Sequence, residues 1–223
     1  QLMQNKDLKG ADEVLNLSLQ QPINSDYEAI AYFWKSEIAY REKRFPQTVQ
    51  FAQSFLSKIG KHTAEIKRIS PQATADNAQL NIGFAQMEMQ DYGAAQNAFS
   101  AAQTSSQSPS SNNEALIREA DATFMTKDFN KALTLYEKCI NQNAGPTDYA
   151  HFQKALILGL LNKDTEKIQV LNNIINRQPV SPQKSNAQFE LAVTQLENGQ
   201  NNDAIILLKK MIADVSTNDI VRA

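Results

Sequence analysis

Cysteine occurs once in 223 residues, at Cys139, so the chain closes no internal disulfide and offers no cysteine cluster to a metal. Glycine and proline number seven each, too few for a collagen-like, linker-like or turn-dense all-β chain. No run approaches the roughly 18 apolar residues of a membrane-spanning helix. There is no surplus of positive charge either. The 22 Lys and Arg face 24 Asp and Glu, for a formal net charge of -2. A nucleic-acid partner, which needs a basic face, is therefore not expected.

Catalytic signatures are equally scarce. His62 and His151 lie 89 residues apart without a metal ligand at useful spacing. Glycine-rich phosphate loops, GxSxG and HExxH are absent from the sequence. Glu114, Glu119 and Asp121 share one stretch that carries no pocket signature. The chain is expected to be no enzyme, with no cofactor and no metal.

What the sequence does have is a repeat. Asp91-Tyr92-Gly93-Ala94-Ala95-Gln96-Asn97-Ala98-Phe99 and Asp128-Phe129-Asn130-Lys131-Ala132-Leu133-Thr134-Leu135-Tyr136 share one pattern: acid, aromatic, two variable residues, Ala, three variable residues, aromatic. Carrying the small position through the chain gives Ala11, Thr48, Ala95, Ala132, Ile168 and Ala204, at intervals of 37, 47, 37, 36 and 36. A fixed period of this size points to a stacked helical array. The 47-residue interval predicts longer helices or an insert through 58–75.

Each unit reads as two short helices. Apolar residues at spacings of three and four, such as Leu80, Phe84 and Met87 or Leu116, Ala120 and Phe124, predict first helices near 29–42, 76–90, 113–126, 149–162 and 185–198. Second helices are predicted near 6–20, 45–59, 92–105, 129–143, 165–177 and 201–214. Pro22, Pro71, Pro109, Pro146, Pro179 and Pro182 follow the second helices, where a helix must stop. The polar run 104–113 reads as a mobile loop between units. No alternating β-branched run is long enough for a strand, so the predicted class is all-α. Cys139 falls at a small packing position and reads as a buried structural thiol.

The pattern resembles the tetratricopeptide repeat, a helix–turn–helix unit of 34 residues. The match is best over 76–109, with Ile82-Gly83, Tyr92, Ala95, Phe99, Ala102 and Pro109, and good over 113–146, with Ala120, Phe129, Ala132, Tyr136 and Pro146. Elsewhere it loosens: Gln79 stands at the usual Trp, Leu156 at the small first-helix position, and Ile168 and Asn172 at the second-helix Ala and Phe. The resemblance implies a right-handed α-α superhelix of stacked hairpins, a single segment over 1–223 divided as 1–28 (partial), 29–75, 76–112, 113–148, 149–184 and 185–223. Small residues at Ser36, Gly83, Ala120 and Ala192, and at Ala11, Ala95, Ala132 and Ala204, would let helix axes approach to about 8–10 Å.

In such an array the first helices line a concave face. Projecting the family's groove positions selects Phe33 with Tyr40, the trio Leu80, Phe84 and Met87, Ile117 with Phe124, and Ile157 with Leu160. This apolar set implies a groove for a hydrophobic or amphipathic peptide of a protein partner. The carboxylate clamp of chaperone-binding members needs Lys, Asn and Arg where this chain has Phe33, Glu37, Leu80 and Phe84, so that activity is not expected here.

The half unit Lys6–Gln20 and the cap-like Ser216-Thr217-Asn218-Asp219 suggest a stretch of a longer array, joined at both ends to the rest of the same chain. The segment 31–40 and Lys154-Ala155-Leu156 are similar to long envelope-associated repeat proteins of bacteria. Asp148-Tyr149-Ala150 with Leu158-Gly159-Leu160 is similar to repeat lipoproteins of outer-membrane assembly. A periplasmic or envelope-associated setting follows as an expectation. The predicted function is a non-catalytic binding scaffold. The alternatives are a structural spacer in an envelope complex and an accessory domain of an enzyme encoded elsewhere.

Overall fold

Asp91 and Asp128, the acids that open the two repeat motifs, each start a helix. Asp91 accepts a hydrogen bond from the Ala94 amide at 3.1 Å, and Asp128 accepts one from the Lys131 amide at 3.1 Å. These carboxylates satisfy amide groups that the first helical turn leaves without partners. Asn24 caps in the same way, accepting from the Asp26 amide at 2.9 Å and the Tyr27 amide at 3.1 Å. The computed structural model describes residues 7–106, 108–144 and 147–213. Among them twelve α-helices are present and no strand.

The helices are α1 (Leu8–Gln20), α2 (Ser25–Arg41), α3 (Phe45–Ile59), α4 (Thr63–Ile69), α5 (Ala75–Glu88), α6 (Tyr92–Ser105), α7 (Pro109–Met125), α8 (Phe129–Gln142), α9 (Asp148–Leu160), α10 (Asp164–Ile175), α11 (Lys184–Glu197) and α12 (Asn201–Ala213). The chain divides into two compact units, Gln1–Lys127 and Asp128–Ala223. The first unit therefore holds α1 to α7 and the second α8 to α12. Lys6, Pro146 and Ser216–Asp219, which entered the sequence reading, lie outside the described residues.

One turn recurs at the ends of α2, α5, α7, α9 and α11. Lys43, Gln90, Lys127, Asn162 and Gly199 all take positive φ, between 57° and 74°. Behind four of them the next amide reaches back five residues: Arg44 to the Ala39 carbonyl at 2.7 Å, Asp91 to Gln86 at 2.9 Å, Lys163 to Leu158 at 2.8 Å and Gln200 to Gln195 at 2.7 Å. This is a Schellman ending, which satisfies the last carbonyls and turns the chain back on itself. Only one of the five positions is glycine.

The small positions are buried as expected: Ser36, Gly83, Ala120 and Ala192 on first helices, Ala11, Ala95, Ala132 and Ala204 on second helices. Cys139 is fully buried at its packing site. In the first unit Phe33, Ala52, Phe55, Ile59 and Ile66 form one core with Ala78 and Ile82. In the second, Ala155, Leu171 and Ile174 pack with Ala187 and Leu191.

Two sequence expectations change, and the long interval is decided between its two alternatives. The run 104–113 is mostly helix. Ser105 ends α6 and Pro109 begins α7, where its fixed φ and missing amide suit the first helical position. Ser108 caps that helix by accepting from the Ser111 amide at 3.5 Å. The long interval is an insert, a short 3-10 turn at Gly60–His62 followed by α4, whose Ile66 is fully buried. Trp34 ties it down by donating from Nε1 to Ser70 Oγ at 3.2 Å.

The second change is register. On α10 the buried positions are Lys167, Leu171 and Ile174, matching Ala132, Tyr136 and Cys139 on α8. Lys167, rather than Ile168, occupies the small-residue site. Its stem crosses Gly159, where an added Cβ would stand 3.1 Å from Cδ, and its ammonium pairs with Glu190 at 2.7 Å. A long side chain lies in a small-residue site because a glycine faces it. On α9 the small residue is likewise Ala155, fully buried, one position before Leu156.

Candidate functional site

The last turns of α2 and α5 bring two aromatic rings together. Tyr40 and Phe84 have ring centroids 6.3 Å apart, and Phe45 approaches Tyr40 from α3 at 5.8 Å. Phe84 meets Phe99 edge-on at 5.4 Å. Leu80, Phe84 and Met87 are half-buried, packed against Ala95 and Phe99 on α6 and Ala122 on α7. Phe84 thus keeps one edge in the core while part of its surface meets solvent.

Arg118 on α7 closes this cluster. Its guanidinium lies 5.7 Å from the Phe84 ring centroid, within cation–π range. Glu114 at 2.8 Å and Asp121 at 3.1 Å, one turn to either side, hold it there. Burial works against the Arg118 charge, and these two carboxylates outweigh it, so the group holds its proton more tightly than usual.

The surroundings are acidic. Burial pushes the Tyr40 hydroxyl above its ordinary pKa, Glu88 and Glu37 push it further, and only Arg118 pulls it down. The surface therefore gathers Glu37, Glu88, Glu114 and Asp121 against Arg41 and Arg118. Arg41 leans on Glu37 at 4.0 Å. Arg41 and Arg118 are thus each engaged by a carboxylate.

The residues expected to line a groove fall into three groups. Phe33, Ile117 and Ile157 are buried, at 1%, 8% and 0% exposure, so they build the interior and present no surface to a partner. Phe33 sits in the core between Trp34 and Phe55, with ring centroids 5.4 Å from each. Ile157 is interior because the α9 register runs one residue off the projection, as Ala155 shows. Tyr40, Leu80, Phe84, Met87 and Phe124 are half-buried. Leu160 is exposed at 52%. The first unit brings Tyr40 and Phe84 into one cluster with Leu80 and Met87 beside them. Phe124, on α7, and Leu160, in the second unit, are not members of it.

Arg118 was absent from the sequence reading, although Glu114-x3-Arg118-x2-Asp121 places two carboxylates one helical turn from it. Among the described residues, no three His, Cys, Asp or Glu side chains gather in a way that could hold a metal ion. His151 sits in the first turn of α9, its Nδ1 2.9 Å from the Thr147 carbonyl. His62 Nδ1 stands 3.1 Å from Asp26 Oδ1 beside the insert.

Within the two units, paired helices with small residues at their contacts and Schellman turns between α2 and α3, α5 and α6, α9 and α10, and α11 and α12 define an all-α helical-repeat fold of the tetratricopeptide type. Solved structures share this fold. YrrB, described as a TPR protein with an unusual peptide-binding site, aligns with a TM-score of 0.62 at 15% identity over 91% of this chain and 92% of its own. MamA aligns with a TM-score of 0.62 at 14% identity over 83% and 90%. The apo form of RapI gives a TM-score of 0.79 at 14% identity over 96% of this chain, which spans 61% of RapI. Neither a protein-family model nor a curated protein matches the sequence. No described helix is long and apolar enough to cross a membrane.

Proposed function

We propose that this chain is a non-catalytic scaffold that binds a segment of another protein on the face built by Tyr40, Phe84 and Arg118. A protein-interaction role agrees with the fold, and YrrB, a neighbour in fold, carries a peptide-binding site by its description. The observation that supports the finer reading is the half-buried Tyr40–Phe84 pair, with Glu37 and Glu88 acting on Tyr40 and Arg118, held by Glu114 and Asp121, on the Phe84 ring. Such a surface selects an apolar or aromatic anchor followed by Lys or Arg. The anchor would lie on the rings and the cation would meet Glu37 and Glu88.

Selection from a random peptide-display library tests this reading. Wild type should enrich aromatic residues flanked by Lys or Arg, and Glu37→Lys/Glu88→Lys should lose those sequences while keeping its helical circular dichroism. Enrichment of acidic peptides, or of the same set by both proteins, would remove the reading.

A further inference from the structure

The sequence holds one Asn-Gly pair, Asn198-Gly199, and the fold places it in the turn that joins α11 to α12. Among the five recurring positive-φ positions Gly199, at φ 74°, is the glycine. Where Asn198 stands, the other four turns have Glu42, Met89, Thr126 and Leu161. The turn itself therefore makes no demand for asparagine. Asn198 and Gly199 are both exposed, so water reaches the pair.

Asparagine before glycine carries a reaction of its own. The Gly199 backbone nitrogen, once it has lost its proton to hydroxide, attacks Cγ of the Asn198 side chain. A C–N bond forms, the side-chain amide bond breaks, and ammonia leaves a five-membered succinimide behind. Glycine favours this ring closure because no Cβ crowds the attacking nitrogen. Water then opens the ring. Cleavage at Cγ gives aspartate, and cleavage at the backbone carbonyl gives isoaspartate, whose main chain runs through Cγ. The net change consumes one water and releases one ammonia.

The folded turn opposes the first step twice. Asn198 has ψ 8°, which holds the Gly199 nitrogen nearly eclipsed with Asn198's own nitrogen and turned away from Cγ. The Gly199 N–H also donates to the Leu196 carbonyl at 3.0 Å, and the Gln200 N–H donates to Gln195 at 2.7 Å. Rotating the nitrogen towards Cγ breaks both bonds, so the reaction passes through a locally opened turn. Its product fits the closed turn poorly. Asn198 is the C-cap of α11, where the negative end of the helix repels a new carboxylate. Isoaspartate also lengthens the main chain in the link that seats α12, whose Leu207 packs against the core of α9, α10 and α11.

We propose that Asn198-Gly199 is a self-modification site: opening of the α11–α12 turn admits deamidation, and the product loosens α12. The site does not depend on the function proposed for Tyr40 and Phe84.

The test follows Asn198 by peptide-map mass spectrometry in the intact chain, held in mildly alkaline buffer both folded and in urea. Isoaspartate is scored by its enzymatic methyl esterification. Deamidation in urea should outpace that in the folded chain by about tenfold or more. Leu207→Ala, which weakens the seat of α12, should raise the folded rate, and Asn198→Asp should melt below Asn198→Gln. Should Leu207→Ala lose its helical circular dichroism, the two wild-type rates decide. No deamidation at Asn198 in urea, equal rates folded and in urea, or a folded rate that a folded Leu207→Ala leaves unchanged overturns the proposal. Asn198→Asp melting level with Asn198→Gln, or above it, overturns the loosening of α12.

Discussion

The ring of Phe99 on α6 lies across Gly83 on α5 so closely that a Cβ at Gly83 would stand 2.6 Å from Phe99 Cδ1 and 2.7 Å from Cζ. Phe99 is fully buried and cannot retreat into solvent. Glycine is the residue that lets these two helices carry a phenylalanine between them. Gly83→Ala should destabilise the chain by about 1–3 kcal/mol, the usual range for overpacking. Urea denaturation measures it, and Gly83→Ala/Phe99→Leu should recover part of the loss. An unchanged midpoint for Gly83→Ala would mean that the two helices are not in this contact.

A second prediction concerns acid. Lys35 is buried on α2, with its ammonium 2.7 Å from Asp12 and 2.7 Å from Asn16 on α1, and 5.0 Å from the Phe51 ring centroid. Burial raises the Asp12 pKa, but the hydrogen bond and charge of Lys35 outweigh it and leave the carboxyl below its ordinary value. A depressed folded pKa means that the stabilisation is complete above the unfolded value of about 3.9 and is lost as pH falls through the folded one. Asp12→Asn should therefore flatten the acid limb of the stability–pH curve below about pH 4. Asp12→Ala at neutral pH should cost about 1–2 kcal/mol, less than a fully buried pair because Asp12 keeps 26% of its side-chain surface in solvent. Parallel curves for wild type and Asp12→Asn would contradict the pairing.

The recurring turn gives a third. Gly199 has φ 74°, a conformation that costs a residue with a Cβ about 1–2 kcal/mol. Gly199→Ala should lower stability by about that amount. Gln90 holds the equivalent place at φ 61°, so Gln90→Gly should leave stability unchanged or raise it by up to about 1 kcal/mol. Thermal melts of the two variants should move apart. Shifts in the same direction would show that these turns differ.

The fourth addresses the insert. Trp34 donates to Ser70, and Ile66 is fully buried against the core of α2, α3 and α5. Ile66→Ala should cost about 2–5 kcal/mol, as for other buried large-to-small changes. A loss under 1 kcal/mol would mean that α4 is an appendage whose removal the core tolerates.

Much of the fold was legible because the repeat is written in its small residues. Ala95, Ala132 and Ala204 must be small where helices cross, and the intervals between them set the hairpin boundaries. The register failed where a neighbour compensates: at Lys167, a long side chain occupies the small site because Gly159 faces it. Nothing in a linear pattern announces that exchange. The run 104–113 misled for another reason. Serine and asparagine are loop formers by composition, but Ser108 before Pro109 is also a helix start, and packing of α7 decided between them. The candidate site was half legible. Helical spacing identified Tyr40 and Phe84, yet the same spacing also selected Phe33, Ile117 and Ile157, because apolar periodicity marks the buried side of a helix as readily as a binding face. Arg118 escaped because its role comes from Phe84, 34 residues away in sequence.

The measurement that bears most directly on the scaffold reading is hydrogen–deuterium exchange with a peptide enriched by the display selection. The account predicts new protection confined to the ends of α2 and α5 and the middle of α7, around Tyr40, Phe84 and Arg118, and none in Glu37→Lys/Glu88→Lys. Protection that appears elsewhere, or that persists in the charge-reversed variant, would contradict it.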